Sequence, residues 1–281
     1  MDRQTTLGRP VSVAGVGLHS GRPCRLTLCP APADTGVRWQ RIDLAGEPVI
    51  PAAVECLAGT ERCTALAAGP ARVQTVEHVM AALAGMGVDN ALIRLDAAEP
   101  PLADGSAAEF VRLIQSAGVV SLPAPRRVRR LDHPLWVSGD GAYLIALPAD
   151  RLRISYTFVT DHPALGTQYA DCIVDSATFA AELAPARTVG WAAEVEALQQ
   201  RGLALGGTLE AAVVVGEREL LTPQRFPNEV ARHKCLDILG DLALVGPFVA
   251  HIIGVRSGHR LNAELARKLH IELAEEAVDT P

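Results

Sequence analysis

Two runs of small apolar residues constrain this chain most: V-M-A-A-L-A-G-M-G-V directly after His78, and L-G-D-L-A-L-V-G shortly after Asp237. Both read as buried helical segments, and both carry ionisable groups at or near their start. An unpaired imidazole or carboxylate in such surroundings is expensive, so these groups require partners. A metal ion is one such partner. In H-K-C-L-D, His233 and Asp237 stand four residues apart, and the same step continues to Asp241. At 100° per residue the three side chains cover about 80° of a helical wheel, beside an apolar stripe of Leu236, Leu239 and Ala243. An imidazole and a carboxylate at i, i+4 are two of the ligands that a catalytic zinc uses, and such a site needs one more while leaving a position open for water. His78 in T-V-E-H is the candidate. The spacing alone describes a solvated helix face equally well, and it is the apolar neighbourhood that favours the metal.

The length of 281 residues suits one large or two ordinary domains, and 49% apolar with 21% charged residues describes a globular chain with a sizeable core. A net charge of −6 argues against nucleic-acid binding. The local basic run R-R-V-R-R at 126–130 reads as a solvated linker, with a place near phosphates as the alternative. Six cysteines without a C-x-x-C pair fit reduced thiols in a cytoplasm and no structural metal site. The apolar runs near residue 15 and residue 248 are too short, and too broken by Gly or Pro, to span a membrane, so no integral membrane segment is expected.

Alternating segments C-R-L-T-L-C, G-V-R-W-Q-R and A-L-I-R-L-D read as strands around a helix from about Val76 to Met86, with Thr75 as its N-cap. A helix over 107–117 follows the turn at Asp104 to Ser106. The stretch L-P-A-P-R-R-V-R-R then looks like a linker. Strands recur in P-L-W-V, A-Y-L-I-A-L and L-R-I-S-Y-T-F-V, followed by helices near 176–183 and 192–201, the strand A-A-V-V-V and the His233 helix. This organisation predicts a domain over 1–123, a linker over 124–130 and a second domain over 131–281. The halves rhyme, since in each a helix bearing His leads through Gly into an apolar strand. If they are related domains packed face to face, the ligands meet at the interface, where small-molecule sites tend to form.

G-V-G-L-H-S-G at 15–21, T-V-E-H at 75–78, D-G-S-A at 104–107, A-R-T at 186–188, R-G-L-A-L-G-G at 201–207, R-H-K-C-L-D at 232–237, G-D-L at 240–242 and S-G-H at 257–259 occur in this order over nearly the whole chain. Together they resemble the UDP-3-O-acyl-N-acetylglucosamine deacetylases, zinc amidases that commit precursor to lipid A synthesis. The resemblance implies an α+β fold of two domains, each a β-sheet layered with helices and packed helix-to-helix as a β-α-α-β sandwich.

The resemblance also implies roles. His78, His233 and Asp237 match the ligands of one catalytic zinc, Glu77 the general base, and His259 the second acid/base group. Asp241 would orient His259 and hold its charge, and Thr188 would hydrogen-bond the developing oxyanion. Lys234, and Arg256 in place of a lysine, fall where the family contacts the nucleotide diphosphate, and His19 approaches it. Leu18 and the segment from Trp191 to Leu209 match the part that encloses the fatty acyl chain. The apolar residues Trp191, Val195, Leu198, Leu203, Leu205 and Leu209 would line that passage, with an ordinary amphipathic core helix as the alternative. Cys63 matches a position near the site that catalysis does not need, while Cys235 reads as packing. His133, His251 and His270 read as ordinary, and His162 as a loop residue.

The pattern departs from the family at Val189, where an aromatic is usual, and at Thr160-Asp161, where an aromatic and Asn would contact uridine. The implied partner is therefore a nucleotide sugar with a fatty acyl chain, met by a cytoplasmic monomer. Two other readings stand beside it: a zinc amidase on another acylated amino sugar, and a non-catalytic nucleotide-sugar-binding protein on the same fold. Retention of Glu77, His78, His233, Asp237, Asp241 and His259 speaks against the last.

Overall fold

The protein is described by a computed structural model covering residues 2–275; the last six residues assigned above to the second domain, 276–281, lie outside the described residues. Two five-stranded sheets organise the chain. The first contains β1 (Val11–Val16), β2 (Pro23–Pro30), β3 (Val37–Arg41), β4 (Val49–Pro51) and β5 (Ala91–Leu95), in the spatial order β1-β2-β5-β3-β4. The second contains β6 (Leu135–Gly139), β7 (Ala142–Leu147), β8 (Arg153–Phe158), β9 (Gln168–Ile173) and β10 (His251–Val255), in the order β6-β7-β10-β8-β9. In both, the last strand enters the centre antiparallel to the second and parallel to the third. The rhyme between the halves is thus a repeated topology.

Period-two burial makes each sheet one-sided. Cys24, Leu26 and Leu28 of β2, and Ala142, Leu144 and Ala146 of β7, are buried while their neighbours are not. Against these faces lie α1 (Glu77–Gly85) and α2 (Ala108–Ala117) in the first unit. In the second unit lie α4 (Glu229–Leu242) and α5 (His259–Glu275), and α3 (Ala192–Gln200) stands apart in an insert. The helices α1 and α4 pack on each other between the sheets. Their crossing is close because one residue has no side chain: a Cβ on Gly240 would lie 2.1 Å from the carbonyl oxygen of Glu77. This is the β-α-α-β sandwich expected above. Among the described residues no helix is long and apolar enough to cross a membrane.

Several local expectations are corrected. Thr75 does not cap α1: it adopts φ 57°, and its hydroxyl donates to Glu99 Oε1 at 2.7 Å. Val76 occupies the N-cap without a side-chain bond. The proline-rich stretch begins as a strand, Val119–Pro125, antiparallel to Arg3–Leu7. Two of its arginines are structural ties, Arg126 donating to Asp89 at 2.8 Å and Arg129 to the carbonyl of Val245. The single helix expected near 176–183 is one α-turn followed by a π-turn, which seats Phe179 beneath Gly85.

Candidate metal and acid–base site

The site forms where α1 meets α4. Glu77 and His78 open α1, and His233, Asp237 and Asp241 lie along one face of α4; all five are buried. His259, the first residue of α5, completes the set.

One ligand atom each from His78, His233 and Asp237 lies within 4.8 Å of the others. Asp237 Oδ1 is 3.2 Å from Nε2 of His233 and 3.8 Å from Nε2 of His78. The two imidazoles meet edge to face at 5.0 Å. His233 donates from Nδ1 to the carbonyl of Ala186 at 3.0 Å, which leaves the lone pair of Nε2 facing Asp237. Asp237 Oδ1 is itself buried without a hydrogen-bond partner. Such an orphaned oxygen between two imidazole nitrogens is the signature of a cation position. The separations also suit it, because donors bonded at 2.0–2.1 Å in a tetrahedron stand about 3.3 Å apart. The three residues fit a divalent ion.

Charge reinforces the geometry. Burial, followed by the charge of His233, pushes His78 down to about 3, so it is held neutral, the form in which an imidazole can bind a metal. Burial opposes ionisation of Asp237, but His233 and Lys234 hold its carboxyl well below the usual range. Lys234 Nζ donates to Asp237 Oδ2 at 2.6 Å.

Glu77, next to His78 at the start of α1, is pushed up to about 8 by burial against the opposing charge of His259. Its Oε2 accepts from the backbone N–H of Thr64 at 2.9 Å. His259 is also raised, for a different reason. Burial disfavours its charge, and so does its place at a helix N-terminus, but Asp241 outweighs both and raises it to about 9. His259 Nδ1 lies 2.8 Å from Asp241 Oδ2, which also accepts from Asn262 at 2.8 Å. Asp241 Oδ1 accepts from the Thr64 hydroxyl at 2.5 Å.

The A-R-T segment is fixed at both flanks. The carbonyl of Ala186 binds His233, and Arg187 is buried in an ion pair with Glu229 at 2.9 Å. Thr188 follows, its own backbone bonded to Gly105 and Val213. His19 is buried in a loop whose amides at 19 and 20 donate to Glu99, and its Nε2 has no partner. Leu18 is half-buried and accepts from Gly206 N at 2.9 Å. Arg256 is exposed at φ 56° just beyond β10.

The insert does not contribute a helix to the core. α3 buries no residue, and Val195, Leu205 and Leu209 are 36%, 50% and 56% exposed. It is therefore not an amphipathic core helix. Trp191 packs edge-on against His162 at 5.8 Å. Cys63 is buried, its thiol pushed up to about 12 by burial and by Glu77. Cys235 is fully buried packing. His251 meets Ser155 and His270 meets Glu55, away from the ligands.

Sequence reasoning misses Thr64, Asn262, Glu99 and the Arg187–Glu229 pair. Asn262 was within reach: Leu261, Leu265, Leu269 and Leu273 are all buried at four-residue steps and mark α5, which places Asn262 one turn after His259. Thr64 carries no such signal, because 177 residues separate it from Asp241.

Fold and site together define a class: an α+β protein of two repeated sheet–helix units, with a buried candidate metal centre at their junction and two further titratable groups, Glu77 and His259, beside it. A family model described as UDP-3-O-acyl N-acetylglycosamine deacetylase matches residues 4–271, and the chain belongs to that family. It is similar to proteins named UDP-3-O-acyl-N-acetylglucosamine deacetylase. The one from Anaeromyxobacter dehalogenans is 47% identical over 95% of this chain and 87% of its own length. That from Chlamydia abortus is 43% identical over 95% and 96%, and that from Trichormus variabilis 42% identical over 95% and 98%.

Proposed function

We propose that the protein is a zinc-dependent amidase that removes acetate from UDP-3-O-acyl-N-acetylglucosamine, the committed step toward lipid A. The observation that carries this reading is the orphaned Asp237 Oδ1 facing two imidazole nitrogens, with Glu77 and His259 flanking it. His78, His233 and Asp237 would hold one zinc ion. Bound there, zinc supplies Lewis acidity toward an amide carbonyl and lowers the pKa of water from about 15.7 toward about 7.

The remaining steps belong to the chain's own groups. Glu77 takes the proton of the attacking water while Thr64 N–H holds its Oε2. Addition to the carbonyl carbon gives a tetrahedral oxyanion, to which Thr188 donates. His259, kept cationic by Asp241, gives its proton to the amine nitrogen as the C–N bond breaks, and acetate and the free amine leave. Lys234, Arg256 and His19 contact the diphosphate. Leu18, Leu209 and the exposed apolar residues of the insert enclose the acyl chain. The enzyme acts in the cytoplasm as a monomer.

Metal analysis paired with acetate release on this substrate tests the reading. About one zinc per chain is expected, and His233→Ala should lose both metal and activity. Full activity of the wild type after exhaustive chelation would refute it.

A further inference from the structure

The base and the acid of the proposed reaction come from different sheet–helix units, Glu77 from α1 of the first and His259 with Asp241 from the second. One residue hydrogen-bonds to both. Thr64 stands in the first unit just before the strand Ala65–Ala68, and is 1% exposed. Its backbone N–H donates to Glu77 Oε2 at 2.9 Å, and its hydroxyl donates to Asp241 Oδ1 at 2.5 Å. The same hydroxyl oxygen lies 3.4 Å from His259 Nδ1.

Resting on the functional reading above, we infer that Thr64 is a positioning residue that sets the Asp241 carboxylate, and through it the His259 imidazole, in register with Glu77. A carboxylate has two oxygens to satisfy. Asp241 Oδ2 serves His259 and Asn262. Only with a donor on Oδ1 does the carboxylate plane stay turned so that Oδ2 faces Nδ1, and Thr64 is the one side-chain donor recorded on Oδ1 among the described residues. Loss of that donor leaves a buried anionic oxygen unsatisfied, which the carboxylate relieves by rotating away from the imidazole. Because the donor belongs to the first unit, the acid is oriented by the unit that carries the base.

Thr64→Val removes the hydroxyl, retains the shape and keeps the backbone N–H on Glu77. We expect kcat to fall roughly tenfold with KM and metal content near wild type, and Thr64→Ser to restore it. His259 Nδ1–H, followed by NMR in histidine-labelled holoenzyme, should shift in Thr64→Val and return in Thr64→Ser. With Asp241→Asn in the background, Thr64→Val should add no further loss. Thr64→Ala, read the same way, serves if the valine variant does not fold. A kcat within twofold of wild type, a loss that multiplies with that of Asp241→Asn, or an unmoved Nδ1–H signal would each overturn the inference alone. A rate unaffected by Asp241→Asn itself would remove the underlying role of the His259–Asp241 pair, and the inference with it.

Discussion

Asp241→Asn probes the electrostatic balance of the site most directly. His259 would be depressed by its burial, yet it is raised from its ordinary 6.5 to about 9, with Asp241 the largest favourable cause through both charge and hydrogen bond. At about 1.4 kcal/mol per pH unit, holding the proton to that point corresponds to roughly 3 kcal/mol in favour of the imidazolium. Asparagine keeps the shape and can still accept from Thr64 or Asn262, but it carries no charge. Burial then acts against a weaker opponent, and His259 should fall back to its ordinary value or below. At pH 7.5 its protonated fraction drops from nearly complete to about a tenth or less. The group acts as an acid, so the rate is lost as pH rises through its pKa; the variant should lose it earlier. We expect kcat/KM to fall about tenfold or more at pH 7.5 and the alkaline limb to move down by about 2.5 pH units, the deficit narrowing toward lower pH. The assay is acetate release from pH 5 to 10, with zinc measured at each point. A bound cation beside both groups lowers Glu77 and His259 together, and each limb reports the coupled site, so the comparison between variants is what counts. An alkaline limb at the same pH in both proteins would refute the role given to Asp241.

Glu77→Ala should keep its metal and lose roughly 10²–10⁴ in turnover, since the residue acts on water and is not a ligand; zinc content falling in step with rate would make it a ligand instead. Gly240→Ala should destabilise the metal-free protein by about 3 kcal/mol or more, because the new methyl would sit 2.1 Å from the Glu77 carbonyl and force α1 and α4 apart. Denaturant unfolding measures this, and an unchanged midpoint would mean that the helices do not cross so closely.

What the sequence disclosed follows from how local each signal is. Candidate ligands on one helix face, such as His233 and Asp237, are brought together because four-residue spacing survives folding. The buried environment of Glu77 and His78 is legible, since V-M-A-A-L-A-G has no polar face to turn toward solvent. Thr75 misled because a hydroxyl before a helix suggests a cap, while the buried carboxylate of Glu99, 24 residues on, competes for it and wins. The strand Val119–Pro125 was hidden by its prolines, which an edge strand paired on one side tolerates. Thr64 and Glu229 were invisible for a different reason: their partners are distant in sequence, and a single threonine or glutamate carries no periodicity.

The repeated topology explains why the site needs both units and why neither would suffice. Each unit breaks its plan at one place, between its fourth strand and its buried helix. The first inserts the three-stranded sheet of Leu57–Gly59, Ala65–Ala68 and Ala71–Gln74; the second inserts α3 between the paired strands Val189–Trp191 and Val213–Val215. Both inserts return to the junction. The first delivers Thr64 to Glu77 and Asp241, and the chain entering the second delivers the Ala186 carbonyl to His233 and sets Thr188 beside it. Two apolar helices in contact would hold their buried His, Asp and Glu at high cost. The inserts lower that cost by supplying the donors and acceptors that fix each tautomer and carboxylate plane, and they leave Asp237 Oδ1 without a partner where a cation fits. Each repeated helix thus brings part of the candidate ligand set, while the orientation of those groups comes from the segments that the two units do not share.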